Sequence, residues 1–280
     1  MNFITNNKIP VGEWMETGVD WLTLNAAGFF DAISIFLETV ILFVVDIFKW
    51  MPPALPIVLT AAIAWYLHRS IPLVIFVVGA LLTILNLGYW QEMLETFVLV
   101  FAATTISVLI GVPIGIMAAH RPWLYTLLRP VLDLMQTVPT FVYLIPTLVL
   151  FGLGIVPGLI STIIFAIAAP IRLTYLGMTK VPEELIEAGK AFGASRMKLL
   201  FKVELPAAMP SIMAGVTQCI MLSLSMVVIA ALVGADGLGK PVVRALNTVN
   251  ISQGFEAGLA IVLVAIILDR LCKTPNQKEA

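Results

Sequence analysis

Nothing constrains this chain more than its succession of long apolar runs. Seven stretches, roughly 51–67, 71–90, 94–118, 124–151, 155–178, 208–233 and 255–272, are mostly apolar and divided by polar turns. A helix needs about 20 such residues to cross a hydrocarbon layer about 30 Å thick. Backbone at that depth must satisfy its own hydrogen bonds, so the runs predict an all-α, polytopic membrane helix bundle of about seven spans. Composition agrees: 60% of the 280 residues are apolar and 12% are charged, half the roughly 25% charged typical of soluble domains. A soluble enzyme or a disordered scaffold is therefore a poor fit. A net charge of −1 gives no basic footprint for nucleic acid. Cys219 and Cys272 are too far apart for a metal or redox motif and read as inert apolar filler.

The basic residues set an orientation. If the 179–207 loop is cytoplasmic, twelve Lys and Arg fall inside and four (Lys8, Lys49, Lys240 and Arg244) fall outside. That bias predicts an outside N-terminus and a cytoplasmic C-terminus. No basic segment precedes an apolar run at the start, so a cleavable signal peptide is not expected. Residues 1–50 are set apart as amphipathic scaffold helices lying in the interface. Asp31, Glu38 and Asp46 share one helical face, as do Glu13, Glu16 and Asp20, with Trp14 and Trp21 alongside. An aligned row of acids is costly at mid-bilayer and cheap at headgroup depth. A spanning helix whose acidic stripe faces protein is the alternative. Residues 51–272 form the transmembrane domain and 273–280 a short cytoplasmic tail.

One polar segment stands out. Residues 180–206 read KVPEELIEAGKAFGASRMKLLFKVELP. Pro182 suits a first helical position, and Glu183 and Glu184 suit the positive end of the helix dipole. Gly193 can close that helix in a left-handed turn, and Ser195 can cap a second one. The expectation is two short helices meeting at an elbow rich in small residues: Ala188, Gly189, Ala191, Gly193 and Ala194.

Glu187-Ala188-Gly189, Gly193 and Val203-Glu204-Leu205-Pro206 match E-A-A-x3-G-x9-I-x-L-P in length, with Gly189 for the second Ala and Val203 for Ile. On these residues the chain resembles the permease subunits of ABC importers. Asp133 to Leu144, Leu224 to Ala231, Gly237-Leu238-Gly239 and Ala265 to Arg270 are similar to permeases of the glycine betaine/proline/choline type. The resemblance spans about 50–272 and implies a type I permease fold. It also implies uptake of a compatible solute for osmoprotection, and a coupling loop docking on a separate ATPase through Glu184, Glu187, Ala188, Gly189, Gly193, Ala194, Leu205 and Pro206. The implied partners are two ATPase copies, a second copy of this chain, an extracytoplasmic substrate-binding protein and membrane lipid. No cofactor is expected on this chain, with ATP and Mg on the ATPase. Gly234 to Lys240 mimics a phosphate-binding loop, but Pro241 stands where a Ser/Thr hydroxyl is needed. It reads as an external glycine-rich turn.

A pathway for a small zwitterion needs inward-facing polar groups. The 124–151 run is richest: Asp133, Gln136, Thr137 and Thr140, with Phe141 and Tyr143 as aromatic faces for a quaternary ammonium. Pro130, Pro139 and Pro146 interrupt it. Arg129 and Asp133 could simply pair. Gln218, Ser223 and Ser225 either line the pathway or bond between helices. Arg172 could snorkel, Asp269 could pair with Arg270, and His68 and His120 have no evident nucleophile or metal partner. Two other functions compete. An ion-gradient secondary transporter would favour internal repeats and intramembrane carboxylates, of which only Asp133 is suitably placed. A membrane hydrolase would need a nucleophile–base constellation.

Overall fold

The computed structural model describes residues 10–273; the expected placements of Lys8, Lys278 and the tail beyond Lys273 lie outside the described residues. Helices follow the apolar runs. They are α1 (Val11–Trp50), α2 (Ala54–His68), α3 (Ile71–Asn86), α4 (Trp90–His120), α5 (Pro122–Thr137), α6 (Leu144–Phe151), α7 (Ile155–Ala166) and α8 (Ala168–Thr179). After these come α9 (Glu183–Ala191), α10 (Arg196–Leu199), α11 (Leu205–Ala230), α12 (Gly239–Thr248) and α13 (Ile251–Cys272).

Five described segments are long and apolar enough to cross a membrane: Gly12–Trp50, Trp90–His120, Ile155–Thr179, Arg196–Val233 and Ile251–Cys272. Three of the expected spans take other forms. The 124–151 run is no straight crossing, because α5 and the Thr140–Phe151 segment meet at 109°. Val138 and Pro139 are extended there, and a 3-10 turn over Thr140–Tyr143 follows. The 51–67 and 71–90 runs become α2 and α3, of 15 and 16 residues. Arg69, left-handed at φ 46°, turns the chain between them.

The centre is built by α4, α8 and α11, brought close by missing side chains. A Cβ at Gly115 would stand 2.7 Å from Thr174, and one at Gly177 would stand 2.7 Å from Ser211. Water expulsion does not drive helix pairing in lipid, so this close approach supplies the dispersion contact that does. Leu94, Val98, Leu159, Leu224 and Val227 fill the seams.

The N-terminal residues form one 40-residue helix kinked at Ala26. Its second half packs on the bundle, with Phe30 on Phe151 (5.3 Å between ring centroids), Phe48 on Phe97 (6.2 Å), and Ile41 and Val45 buried in the main core. Lys49 bonds Glu95 at 2.6 Å. Around that level, burial pushes the Tyr89 phenol up, with Glu256 and Glu92 adding to the effect.

Candidate coupling elbow and translocation face

The 180–206 segment folds as two arms. Helix α9 starts after the extended Pro182 with Glu183 and Glu184 in its first turn. Phe192 ends it, and Gly193 follows at φ +72°. Ser195 Oγ accepts from Lys198 N–H at 3.4 Å, capping α10. A π-helical turn, Leu200–Glu204, then runs straight into α11. Such turns arise where an extra residue is accommodated within a continuing helix, often at functional sites.

Glu184, Glu187, Ala188 and Gly193 are exposed, Gly189 and Ala194 half-buried, and Leu205 and Pro206 sit at the root. Gly189 plays a different part from the one its small size suggests. A Cβ there would meet Leu199 Cδ1 at 2.6 Å, so the glycine lets the two arms close on each other. Phe192, 91% exposed, crowns the elbow as an unburied aromatic.

His120 ends α4, and the sequence offers it no evident nucleophile or metal partner. Its Nε2 lies 2.8 Å from Glu204, and its Nδ1 lies 2.9 Å from the Ile116 carbonyl. Glu204 is buried, so this contact satisfies a carboxylate at the root of the elbow and ties it to the central helix. The partners are 84 residues apart, and no local pattern announces them.

The second candidate surface is one side of α5. Leu132 is buried against α8, while Arg129, Asp133, Gln136 and Thr137 form an exposed polar strip beside it. Asp133 bonds Arg172 of α8 at 2.6 Å, whereas Arg129 stands 4.0 Å away. The local Arg129–Asp133 pair is therefore the weaker one, and Arg172 binds a carboxylate instead of snorkelling alone. Tyr125 and Tyr175 stack 3.5 Å apart on the same seam.

Below the bend, the freed carbonyls find hydroxyls. Tyr143 donates to the Met135 carbonyl at 2.6 Å, so its phenol staples the break. Ser161 donates to the Tyr143 carbonyl at 3.1 Å, and Thr147 lies 2.6 Å from Ser161. Irregular backbone at membrane depth persists only when satisfied in this way. Phe141 is exposed beside the staple and Thr140 half-buried. In α11, Ser223 bonds Thr104 of α4 at 3.4 Å. Ser225 turns to its own Met221 carbonyl, and Gln218 is exposed. Asp269 pairs with Lys273 at 2.8 Å, displacing the expected Arg270.

The glycine-rich 234–240 turn packs tightly. Leu238 N–H donates to Thr96 at 2.8 Å, and a Cβ on Gly239 would stand 2.4 Å from the Val228 carbonyl. Its glycines serve helix approach, and Lys240 is held by Asp236. Among the described residues, no group of three or more His, Cys, Asp or Glu could hold a metal.

The family model for the inner membrane component of binding-protein-dependent transport systems matches residues 111–272. The chain belongs to this family. The glycine betaine transport system permease protein OpuAB of Bacillus subtilis is 45% identical over 97% of this chain and 96% of its own length. The glycine betaine/carnitine transport permease protein GbuB of Listeria monocytogenes is 44% identical, covering 96% of each. ProW of Escherichia coli, a glycine betaine/proline betaine permease, is 41% identical over 94% of this chain and 74% of its own. The fold is similar to an inward-facing form of the MetNI methionine ABC transporter, with a TM-score of 0.56 and 25% identity over 64% of this chain and 91% of that one. The chain is thus an ABC importer permease, a multi-pass membrane subunit that works with an ATPase and a substrate-binding protein. ATP hydrolysis belongs to the separate ATPase subunit.

Proposed function

We propose that this permease carries glycine betaine or a related quaternary ammonium or proline compound inward for osmoprotection. The observation that carries the solute class is the near-full-length identity with relatives named for glycine betaine transport. The drive enters at the elbow, where an ATPase holding ATP and Mg docks on Glu184, Glu187, Ala188, Gly189, Gly193 and Ala194, with Leu205 and Pro206 anchoring the loop to α11.

Two copies enclose the pathway. The exposed polar side of α5 supports this, since Asp133, Gln136 and Thr137 cannot face lipid without cost. Thr140, Phe141 and Tyr143 continue that surface past the bend, Phe141 offering a free ring to a cation. Gln218 and Ser225 contribute from α11. The basic residues of the elbow (Lys190, Arg196, Lys198 and Lys202) favour the cytoplasmic side. Helix α1 then lies along the outer interface. Its acids Asp31, Glu38 and Asp46 are exposed, and Phe29, Phe36 and Phe43 form a separate exposed apolar side.

Reconstitution with the cognate ATPase and binding protein tests this reading. Labelled glycine betaine should enter vesicles only when ATP is supplied. Uptake by this chain alone, driven by an ion gradient, would favour a secondary transporter.

A further inference from the structure

Two apolar cavities adjoin on the flank of the bundle, where α2 and α13 pack beside α4. One has a volume of about 260 Å³ and the other about 440 Å³, and they share Ile63, Phe97, Leu268 and Leu271. No acidic or basic side chain lines either. Such a groove by itself would accept any hydrocarbon and select nothing.

Selection comes from the charge at its end. The carbonyl of Leu271, a lining residue of both cavities, lies 3.3 Å from His68 Nε2. That contact joins the last turn of α2 to the last turn of α13. It leaves Arg69 and Arg270, each one residue away, exposed beside the groove's end. The neighbouring carboxylate, Asp269, is taken by Lys273. Trp65 (49% exposed) and Tyr66 (82%) stand on the same last turn of α2, as amphipathic rings do at headgroup depth. Length adds to the argument. Fifteen residues of α2 rise about 22 Å, short of a hydrocarbon layer of about 30 Å. The basic end of α2 therefore draws polar headgroups towards itself.

We propose that this groove binds one anionic phospholipid, its acyl chain lying between α2, α4 and α13 and its phosphate held between Arg69 and Arg270. A chain packed there fills space against α4, and a cationic cradle at its end makes retention depend on net headgroup charge.

Native mass spectrometry of the full-length chain in its extracted complex tests the site. Phosphatidylglycerol and phosphatidylcholine with identical acyl chains are supplied in equal amounts. Phosphatidylglycerol should be retained roughly 30-fold in preference, about fivefold for each arginine. Arg69→Gln combined with Arg270→Gln should bring that ratio close to one while some lipid remains bound. Ile63→Trp, a substitution at a half-exposed position shared by both cavities, should reduce retention of both lipids. Equal retention of the two lipids by the unaltered chain, or a preference untouched by the double substitution, overturns the proposal. So does full occupancy in Ile63→Trp.

Discussion

Gly193 sits at φ +72° with no atom within 4 Å of a built Cβ, so backbone conformation and not space demands a glycine there. A left-handed β-branched residue costs about 1–2 kcal/mol, whereas Asn tolerates the region. Gly193→Val should therefore lower betaine-stimulated ATP hydrolysis and uptake by roughly fivefold or more, and Gly193→Asn should retain most of both. Equal loss in the two variants would mean that side-chain bulk, and not φ, matters at the elbow. The His120–Glu204 contact makes a separate prediction. Removing the imidazole leaves a buried carboxylate without its partner, a loss of about 1–3 kcal/mol. His120→Ala should lower the thermal unfolding midpoint in detergent and loosen ATP hydrolysis from uptake, and His120→Ala with Glu204→Gln should recover part of the stability. Gly193 and Ser195 were legible in the sequence because their roles are set by backbone preferences a few residues long. His120 and Glu204 were not, since only the tertiary fold brings the end of α4 to the root of α11.

Among the elements, the α5–α6 bend shows the same division. Pro139 and the surrounding polar residues marked an irregular span, but the turn of 109° depends on partners elsewhere. Those partners are the Tyr143 phenol, Thr147, and Ser161 on α7. Arg172 likewise outcompetes Arg129 for Asp133, at 2.6 Å against 4.0 Å, because the tertiary fold sets α8 beside α5. Ser161→Ala should cost about 0.5–1.5 kcal/mol, since Thr147 still donates to the Tyr143 carbonyl, read as a lower unfolding midpoint. If the bend also shapes the pathway, Tyr143→Phe should raise the betaine concentration needed for half-maximal uptake while basal ATP hydrolysis persists. A Tyr143→Phe variant that is merely less stable, with uptake unchanged once corrected for folded protein, would confine that residue to a structural role.

For the whole molecule, the sequence made the bundle and its charge asymmetry plain, because apolar length and basic loops are summed over many residues. The short 51–67 and 71–90 runs were legible as well, separated only by His68-Arg69-Ser70, and α2 and α3 end at the Arg69 turn and just before Gly88, both left-handed. Orientation is open to direct measurement. In a background carrying Cys219→Ala and Cys272→Ala, a membrane-impermeant maleimide added to intact cells should label Lys240→Cys and spare Lys190→Cys. The reverse pattern would invert the bundle and place the elbow beyond reach of a cytoplasmic ATPase.

The join between elbow and bundle also differs on its two sides. The first arm hangs from α8 through the non-helical Lys180–Pro182 break, whereas the second passes through the π-helical turn into α11 without interruption. The stretch Arg196–Val233 is in effect a single rod of 38 residues, about 57 Å long at 1.5 Å per residue. A pivot on one side and a stiff shaft on the other make a crank. A push on the second arm is not dissipated in loop; it arrives at the far end of α11, where Ala230 lies against the glycine at 158.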